Sequence, residues 1–320
     1  MLTLRFLNVA DGDAALVEFD TGQRLFRLLV DAGRAEPEPF PGSSRASAAE
    51  HLRRLGIRRL DAVVITHLHQ DHFGGLEALA RKIPIGDLYA GFFPPALSPA
   101  ARLPEGSPKT VRGLWECLAD WNRILELLRR KGTRLQYICH DQMLPCPPGL
   151  SARVIVPDAG LARRRNRIWD ELLTGKEPDM DQLVWSSKQR NPGSLRLELT
   201  FASRGVILAG DCYGSCWQNP PPASCDLLKV PHHGDAKALT QPLVDALRPR
   251  YAVISCEAAY NPRKDRPSPE VVRMLLETGC RVYFTDCYPP PGGSENRLPS
   301  VDFLIGDDGV IHPPAPWNPT

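Results

Sequence analysis

Three histidines and an aspartate stand within six consecutive positions of THLHQDHFGG, from His67 to His72. Two more of the chain's eight histidines stand together in VPHHG, at His232 and His233. Both groups follow apolar runs of strand length, LDAVVIT and CDLLKV, so these imidazoles are predicted at the ends of strands. Crowded imidazoles repel one another when protonated, whereas a divalent ion takes the lone pairs of neutral histidine and ionised aspartate. The spacing therefore predicts a metal site.

The flanking pattern predicts a layered α/β fold that positions these loops. LTLRFLNV and AALVEF predict a β-hairpin, RLFRLLVDAG a further strand, and LDAVVIT a strand buried on both faces. Helices are predicted at SAAEHLRRLGI, GGLEALARKI and LWECLADWNRILELLRRKG. Later strands are predicted at SLRLELTF, GVILAG, RYAVISC, RVYFTD and VDFLIGDDGVI. SPEVVRMLLETG predicts a helix with Ser268 as its cap and Pro269 in its first turn.

Composition excludes some classes of function. The net charge of +2 creates no global field that would require a nucleic acid or an anionic membrane as partner. The start MLTLRFLNVADGD is too quickly charged for a signal peptide, and no apolar run approaches the ~18 residues of a membrane-spanning helix. Nine cysteines without paired spacing favour a reducing compartment, so a cytoplasmic protein is expected, with Cys212 and Cys216 as core or loop thiols. The sequence does not indicate which protein partners the chain has.

The histidine motifs make the chain recognisable. THLHQDHFGG matches the H-x-H-x-D-H motif of the metallo-β-lactamase fold superfamily, and VDAG, LAGD and VPHHG resemble its other aspartate and histidine motifs. More narrowly, the chain resembles the soluble hydrolase domain of the ComEC competence proteins. That likeness rests on FLNVADGDAALVEF, LRRLGIRRLDAVVITHLHQDHFGGL, CDLLKVPHHGD, RYAVISC and RPSPEVVRMLLETGCRVYFTD.

The resemblance implies one domain over residues 1–320, folded as a four-layer αββα sandwich with two mixed sheets face to face and helices outside. It covers about two thirds of the chain. The parts outside it are expected to be insertions near residues 92–114 and 158–188, and a loose C-terminal tail at 312–320.

The resemblance also implies a role for each residue of the first motif. His67 and His69 would hold one ion, Asp71 and His72 would hold a second, and Asp211 would bridge the two. Two divalent ions, Zn²⁺ or Mn²⁺, are therefore expected as cofactors. Such a pair of ions lowers the pKa of a bridging water and clamps the attacking and leaving oxygens.

The remaining roles are less determined. One of His232 and His233 would complete the second ion site, and we favour His233 as the ligand and His232 as a catalytic residue facing the substrate. Asp71 is expected to be both ligand and catalytic residue. Asp31 would orient a ligand histidine from behind, as metal sites commonly require. Asp13, in the first hairpin, either does similar work or is a plain turn aspartate.

Two departures from the superfamily pattern affect the expected chemistry. Many members supply another histidine before the bridging aspartate, but the corresponding stretch QRNPGSLRLEL has none. Water, Asn191 or a substrate oxygen could complete the site of His67 and His69, which favours a harder ion such as Mn²⁺ over Zn²⁺. The family's HPSPE reads RPSPE, so Arg266 replaces a histidine on the substrate side.

The expected substrate is a phosphodiester, most simply a nucleic acid cleaved by a nuclease. Arg266, Lys264 and Arg263 are candidate charge clamps, and Asn191 is a candidate substrate-binding residue. The alternative enzyme is a small-substrate phosphodiesterase, for a cyclic nucleotide or a phosphorylcholine-type ester. A non-catalytic binding module on the same fold is a third possibility.

Two interpretations of the insertion at 158–188 are possible from the sequence. The run RRRNR, with Trp169 and Trp185, could form a substrate gate that offers cations to phosphates and aromatic faces to unstacked bases. It could instead be a peripheral helical hairpin whose tryptophans pack on the sandwich. The arginines concerned are Arg163, Arg164, Arg165 and Arg167.

Overall fold

Two β-sheets form the centre of the computed structural model, which describes residues 1–38, 43–176, 179–217, 225–257, 266–286 and 298–314. In these ranges the first sheet has eight strands and the second has seven. The first sheet contains β1 (Leu2–Leu7), β2 (Ala15–Asp20), β3 (Leu25–Val30), β4 (Leu60–Ile65), β5 (Ile85–Ala90), β6 (Arg134–Tyr137), β14 (Ser300–Ile305) and β15 (Ile311–His312). The second contains β7 (Gln142–Met143), β8 (Leu150–Ile155), β9 (Arg196–Phe201), β10 (Arg204–Ala209), β11 (Leu227–Lys229), β12 (Tyr251–Ile254) and β13 (Arg281–Phe284).

Both sheets are mixed, and their parallel halves carry the site. The first sheet has the order β15-β14-β1-β2-β3-β4-β5-β6, with β3 to β6 parallel. The second has the order β13-β12-β11-β10-β9-β8-β7, with β10 to β13 parallel. Loops that follow parallel strands emerge at one edge of the sheet, so the segments after β3 and β4 are neighbours, as are those after β10 and β11.

Helices cover the outer faces of the sheets. They are α1 (Ala48–Arg54), α2 (Gln70–Phe73), α3 (Leu76–Lys82), α4 (Lys109–Arg130), α5 (Ala159–Leu173), α6 (Met180–Lys188), α7 (Gln241–Leu247) and α8 (Pro269–Glu277). The longest, α4, buries an apolar stripe at three- and four-residue spacing that includes Leu114, Leu118 and Trp121. None of the helices in the described ranges has the length and apolar character needed to cross a bilayer.

Three groups of buried side chains separate the layers. The group between the sheets combines residues of the first sheet, such as Leu4, with residues of the second, such as Leu197. A second group joins the first sheet to α1, α3, α4 and α5, with Trp121 fully buried at its centre. A third joins the second sheet to α7 and α8, for example through Leu275. The fold is the αββα sandwich of the metallo-β-lactamase type that the resemblance implied.

Most of the predicted elements are confirmed, with local differences. The helices α5 and α6 lie within residues 158–188, and α4 begins at Lys109, inside the expected insertion at 92–114. Ser268 occupies the cap position of α8, but its side chain makes no capping hydrogen bond. His312, at the start of the expected loose tail, pairs with Leu304 in the first sheet, and residues 315–320 lie outside the described ranges.

Candidate metal centre

Four strand ends deliver the polar side chains of the site. Asp31 follows β3, His67 follows β4, Asp211 follows β10, and His232 and His233 follow β11. Asp31 and both of these late histidines have positive φ angles, of 59°, 48° and 55°. Residues other than glycine rarely adopt this left-handed conformation, and they do so mainly where the surrounding structure requires a particular side-chain direction. The bends after β3 and β11 thus turn these side chains into the space between the two sheet edges.

The first cluster contains His67, His69 and one oxygen of Asp211. His67 Nε2 lies 2.8 Å from His69 Nδ1 and 3.6 Å from Asp211 Oδ2. These three residues offer ligand atoms within 4.8 Å of one another. The structure therefore brings together the residues that the H-x-H part of the motif assigned to one ion.

The second cluster contains Asp71, His72 and His233. His233 Nε2 lies 3.7 Å from Asp71 Oδ2 and 3.8 Å from Asp211 Oδ1. His72 Nε2 lies 3.2 Å from the same Asp211 oxygen. One carboxylate oxygen of Asp211 thus faces the first cluster and the other faces the second, which is the arrangement required of a bridging ligand.

The donor set fits divalent cations. His72 Nε2, His233 Nε2 and Asp211 Oδ1 are buried and have no hydrogen-bond partner among the described residues. Buried polar atoms without partners are costly, and several of them pointing at one another are best explained by an ion that shares their lone pairs. The nitrogen and oxygen donors are those that Zn²⁺ and Mn²⁺ accept in proteins.

Asp31 orients His72 from behind. Its Oδ2 lies 2.8 Å from His72 Nδ1, and its two oxygens accept hydrogen bonds from the backbone N–H and the hydroxyl of Thr66, both at 2.8 Å. This contact turns the Nε2 atom of His72 toward Asp211. Burial alone would lower the pKa of His72, but the carboxylates of Asp211 and Asp31 outweigh burial and raise that pKa well above its usual value. The cluster therefore favours positive charge at this point.

Burial and neighbouring positive charges keep the imidazoles of His67 and His69 neutral. Burial, followed by the charge of His72, holds the pKa of His67 well below its usual value. Burial, followed by the charge of Arg190, lowers the pKa of His69 to about 3. Burial would raise the pKa of Asp211, but the surrounding histidines outweigh it and hold that pKa well below the usual range. Neutral imidazoles around an ionised carboxylate are the protonation states that metal binding requires.

Asp13 occupies a second position behind the ligands. Its Oδ1 lies 3.6 Å from His233 Nδ1, and its Oδ2 contacts the ammonium group of Lys229. Asp13, His72 and Asp211 also form a third group of side chains that could hold an ion. The structure thus places Asp13 within the site rather than in a plain turn. Lys229 was not predicted from the sequence, where its signal is a lysine that interrupts the apolar run LLKV.

His232 borders the first cluster and faces two donors. Its Nε2 accepts hydrogen bonds from Arg266 Nη2 at 2.6 Å and from Asn191 Nδ2 at 2.9 Å, and lies 3.7 Å from Asp211 Oδ2. Because a guanidinium can only donate, Nε2 is the unprotonated nitrogen of this ring. Burial, opposed by the charge of Asp211, lowers the pKa of His232 to about 4. Lys264 and Arg263 lie outside the described residues.

Arg190 is a further residue of the site that the sequence analysis missed. It is half-buried, and its guanidinium donates to the carbonyl of Leu68, between the two histidines of the first cluster, at 3.3 Å. It also contacts Cys117 Sγ of α4 at 3.5 Å and the carbonyl of Ser187 in α6 at 3.2 Å. Arg190 thereby ties the metal-binding loop to two surrounding helices. A lone arginine in QRNPGS gives no sequence signal for this role.

Only some residues of the segment 158–188 are placed as the substrate-gate hypothesis requires. Arg165 is 4% exposed and Trp169 is 1% exposed, so neither can contact a polynucleotide as expected. Both lie on the buried face of α5, whose residues recur at three- and four-residue spacing. The ring of Trp169 packs edge-on against that of Phe92, with 5.1 Å between the ring centroids. The remaining arginines of the run, Arg163, Arg164 and Arg167, are exposed. Trp185 is half-buried, with the Arg164 guanidinium stacked 4.1 Å from its ring centroid.

The cysteines near Asp211 are core or loop thiols, as expected. Cys212 is buried in the outer core of the second sheet, and Cys216 packs against the same core. Their direct contact lowers the pKa of Cys216 to about 6 and raises that of Cys212.

Comparison with known proteins identifies the family. The sequence pattern of the metallo-beta-lactamase superfamily matches residues 10–258, which contain all the ligand candidates. ComE operon protein 3 of Bacillus subtilis (strain 168) is 23% identical over 299 residues, covering 87% of this chain and 32% of that protein. The anti-Pycsar protein Apyc1 of Bacillus phage 010DV004 is 34% identical over 122 residues, covering 32% of this chain and 42% of the phage protein.

Among solved structures, the metallo-beta-lactamase fold protein YhfI from Bacillus subtilis aligns over 89% of this chain and 96% of its own, with a TM-score of 0.48 and 12% identity. The chain belongs to the metallo-beta-lactamase superfamily, whose members are mostly hydrolases and typically bind divalent metals. It is homologous to ComE operon protein 3 and spans about one third of that protein's length.

Proposed function

We propose that this protein is a metal-dependent phosphodiesterase that cleaves nucleic acid with two divalent ions, Zn²⁺ or Mn²⁺. The observation that carries the proposal is the convergence of Arg266 and Asn191 on His232 Nε2, 3.7 Å from Asp211 Oδ2. The proposed ligands are His67, His69, Asp71, His72, Asp211 and His233.

The donors around His232 favour a phosphodiester over a carbonyl substrate. Arg266 and Asn191 bring a guanidinium and an amide N–H to one point beside the carboxylate that faces both clusters. A phosphodiester carries a full negative charge on two free oxygens, which matches a guanidinium together with a neutral donor. The carbonyl of a lactam or thioester develops charge on a single oxygen and needs no resident cation.

The protein's own residues would divide the remaining work. Two bound divalent ions would supply acidity to water and neutralise charge on the phosphate oxygens. His232 has its lone pair on Nε2, and Asp235 Oδ2 lies 3.8 Å from its Nδ1. The ring would accept a proton of the attacking water at Nε2 and return it to the leaving oxygen. Arg266 and Asn191 would move from this nitrogen to the free phosphate oxygens. Asp71 Oδ2 lies beside His233 and would orient the attacking water as well as bind an ion.

The exposed arginines of α5 favour a polymeric substrate. Arg163, Arg164 and Arg167 lie on the outer face of this helix, whose inner face is fixed by Arg165. Arg165 donates to the carbonyl of Gln189 at 3.3 Å, two residues before Asn191. The basic face is thus attached to the segment that carries a proposed substrate contact, where it can follow a phosphate backbone.

The test is hydrolysis of linear single-stranded DNA, duplex DNA, RNA and bis(4-nitrophenyl) phosphate with Mn²⁺, Zn²⁺, Mg²⁺ or a chelator. We expect cleavage of at least one polymer with Mn²⁺ or Zn²⁺, loss of cleavage with the chelator, and none in Asp211→Asn, which also controls for contaminating nucleases. Hydrolysis of the small ester alone would indicate the small-substrate phosphodiesterase. Metal binding without turnover of any phosphodiester would indicate a binding module and would contradict the proposal.

A further inference from the structure

We infer that Lys229 is a positioning residue of the second ion cluster: its ammonium group holds the Asp13 carboxylate behind His233 and so fixes the face that this ring turns toward the ion. The inference rests on the two-ion site of the proposed function, but not on the identity of the substrate. It assigns a purpose to a lysine that stands in the middle of the apolar core.

Lys229 lies on the inner face of the second sheet. In β11 the neighbouring side chains alternate, with Leu227 in the core between the sheets and Leu228 in the outer core beneath the helices. The period of two places Lys229 on the same side as Leu227. Lys229 is only 3% exposed. An ammonium group in this position must have a compensating partner, because a buried unpaired charge is strongly unfavourable.

That partner comes from the other sheet. The Lys229 ammonium contacts Asp13 Oδ2, and Asp13 belongs to the loop between β1 and β2. The backbone of Asp13 is fixed to the metal-binding loop, because its N–H donates to the carbonyl of Asp71 at 3.0 Å. Lys229 therefore holds the side chain of a residue whose backbone is already hydrogen-bonded to a proposed ion ligand, Asp71.

The free oxygen of Asp13 points at a ligand histidine. Asp13 Oδ1 and His233 Nδ1 lie 3.6 Å apart, both are buried, and neither has a hydrogen-bond partner among the described residues. His72 Nδ1 also lies 3.7 Å from Asp13 Oδ2, but Asp31 holds this nitrogen more closely, at 2.8 Å. The nearest carboxylate behind each ligand histidine of the second cluster is thus a different one. Of those two carboxylates, the one behind His233 depends on Lys229.

The competing explanation is that Lys229 and Asp13 form only a strut between the sheets. A strut contributes to stability and should affect both ion sites equally or not at all. A positioning pair should weaken the second ion selectively, because carboxylates behind ligand histidines typically contribute 10–100-fold to metal affinity.

The experiment is calorimetric titration of the metal-free full chain with Zn²⁺ and Mn²⁺, comparing the wild type, Lys229→Met and Ser255→Ala. Ser255 lines the same small cavity as Lys229 and Asp13, so its variant controls for altered packing. We expect Lys229→Met to weaken one of the two binding events about 10–100-fold and the other by less than about twofold. Ser255→Ala should leave both unchanged. With Co²⁺ as probe, the visible absorption of one ion should change in Lys229→Met only.

A second variant keeps the test decisive if Lys229→Met does not fold. The double variant Asp13→Asn/Lys229→Met removes both charges, so it leaves no unpaired buried ion, and it should show the same selective weakening. Equal weakening of both ions, or unchanged affinities in a destabilised protein, would leave only the strut. A selective effect without any phosphodiester hydrolysis would support this inference while contradicting the proposed function.

Discussion

The two sheets contribute to the site in different ways. The first sheet supplies His67, His69, Asp71 and His72 from one continuous loop, and hydrogen bonds from the neighbouring strand end at Asp31 fix that loop. The second sheet supplies its residues from four separate segments, and only His232 and His233 share one. Its contributions are Asn191, Asp211, His232, His233 and Arg266.

Under the proposed function, this difference would separate metal binding from substrate recognition. The continuous loop holds candidate ligands whose spacing is visible in the sequence. The residues of the second sheet combine two candidate ligands with a set of donors that meet only in the folded protein. We therefore expect variants on the first sheet to change metal content, and variants on the second to divide into two classes.

The largest effect is expected at Asp211, because its carboxylate faces both clusters. Asp211→Asn should reduce bound metal from about two ions per chain to less than one, because Oδ1 and Oδ2 face different clusters. Hydrolysis should fall at least about 10³-fold, since the ions contribute several kcal/mol to transition-state stabilisation. Elemental analysis measures the metal content, and Asp87→Asn, at a distant ion pair with Arg134, is the control. Two ions retained in Asp211→Asn would show that it does not bridge them.

Variants of the adjacent residues His232 and His233 should separate metal binding from catalysis most clearly. His233→Ala should lose about one ion, whereas His232→Ala should keep both and lower kcat about 10²–10⁴-fold, as expected for a general acid or base. The two variants are matched in composition, position and backbone conformation, since both residues have positive φ angles. Metal content and kcat measured on the same samples decide between them. The reverse pattern would make His232 the ligand.

Arg266 should show a smaller effect on binding alone. Arg266→Met is expected to raise KM for a phosphodiester about 10–100-fold, because a hydrogen bond to a charged group contributes about 1.5–3 kcal/mol. Metal content should not change. Arg273→Met is the matched control, since Arg273 is exposed on α8 and pairs only with Glu277 among the described residues. A loss of metal in Arg266→Met would place this residue with the ligands.

The smallest effect is expected from the basic face of α5. Replacing Arg163, Arg164 and Arg167 with alanine should weaken polynucleotide binding and flatten its dependence on salt by roughly 0.7–0.9 in log–log slope per lost phosphate contact. Hydrolysis of bis(4-nitrophenyl) phosphate should remain. Arg129→Ala/Arg130→Ala, on the exposed end of α4, is the control. An unchanged salt slope would leave α5 as scaffold.

The same contrast explains what the sequence could predict. The loop THLHQDHFGG is local, so its spacing alone indicated a candidate metal site, and the strands that precede the candidate ligands were recognisable as apolar runs. The strands β5 to β8 were not predicted. Leu150, Ala152 and Val154 of β8 alternate as buried residues, but Arg153 and the preceding prolines obscured the pattern. Arg190 and Lys229 could not be found by spacing. Their partners, Leu68 and Asp13, are distant in sequence and become neighbours only when the sheets pack.

The division of ligands between two sheets has a consequence for the lifetime of the protein. About 140 positions of chain separate His72 from Asp211, so an ion held by both acts as a removable cross-link between the two halves of the sandwich. An ion that binds only the folded chain adds about 2.7 kcal/mol to its stability when the free concentration is 100 times the dissociation constant. Withdrawal of the ion removes that increment and raises the fraction of unfolded chains that proteases can degrade. The amount of this protein in a cell should therefore follow the supply of its metal.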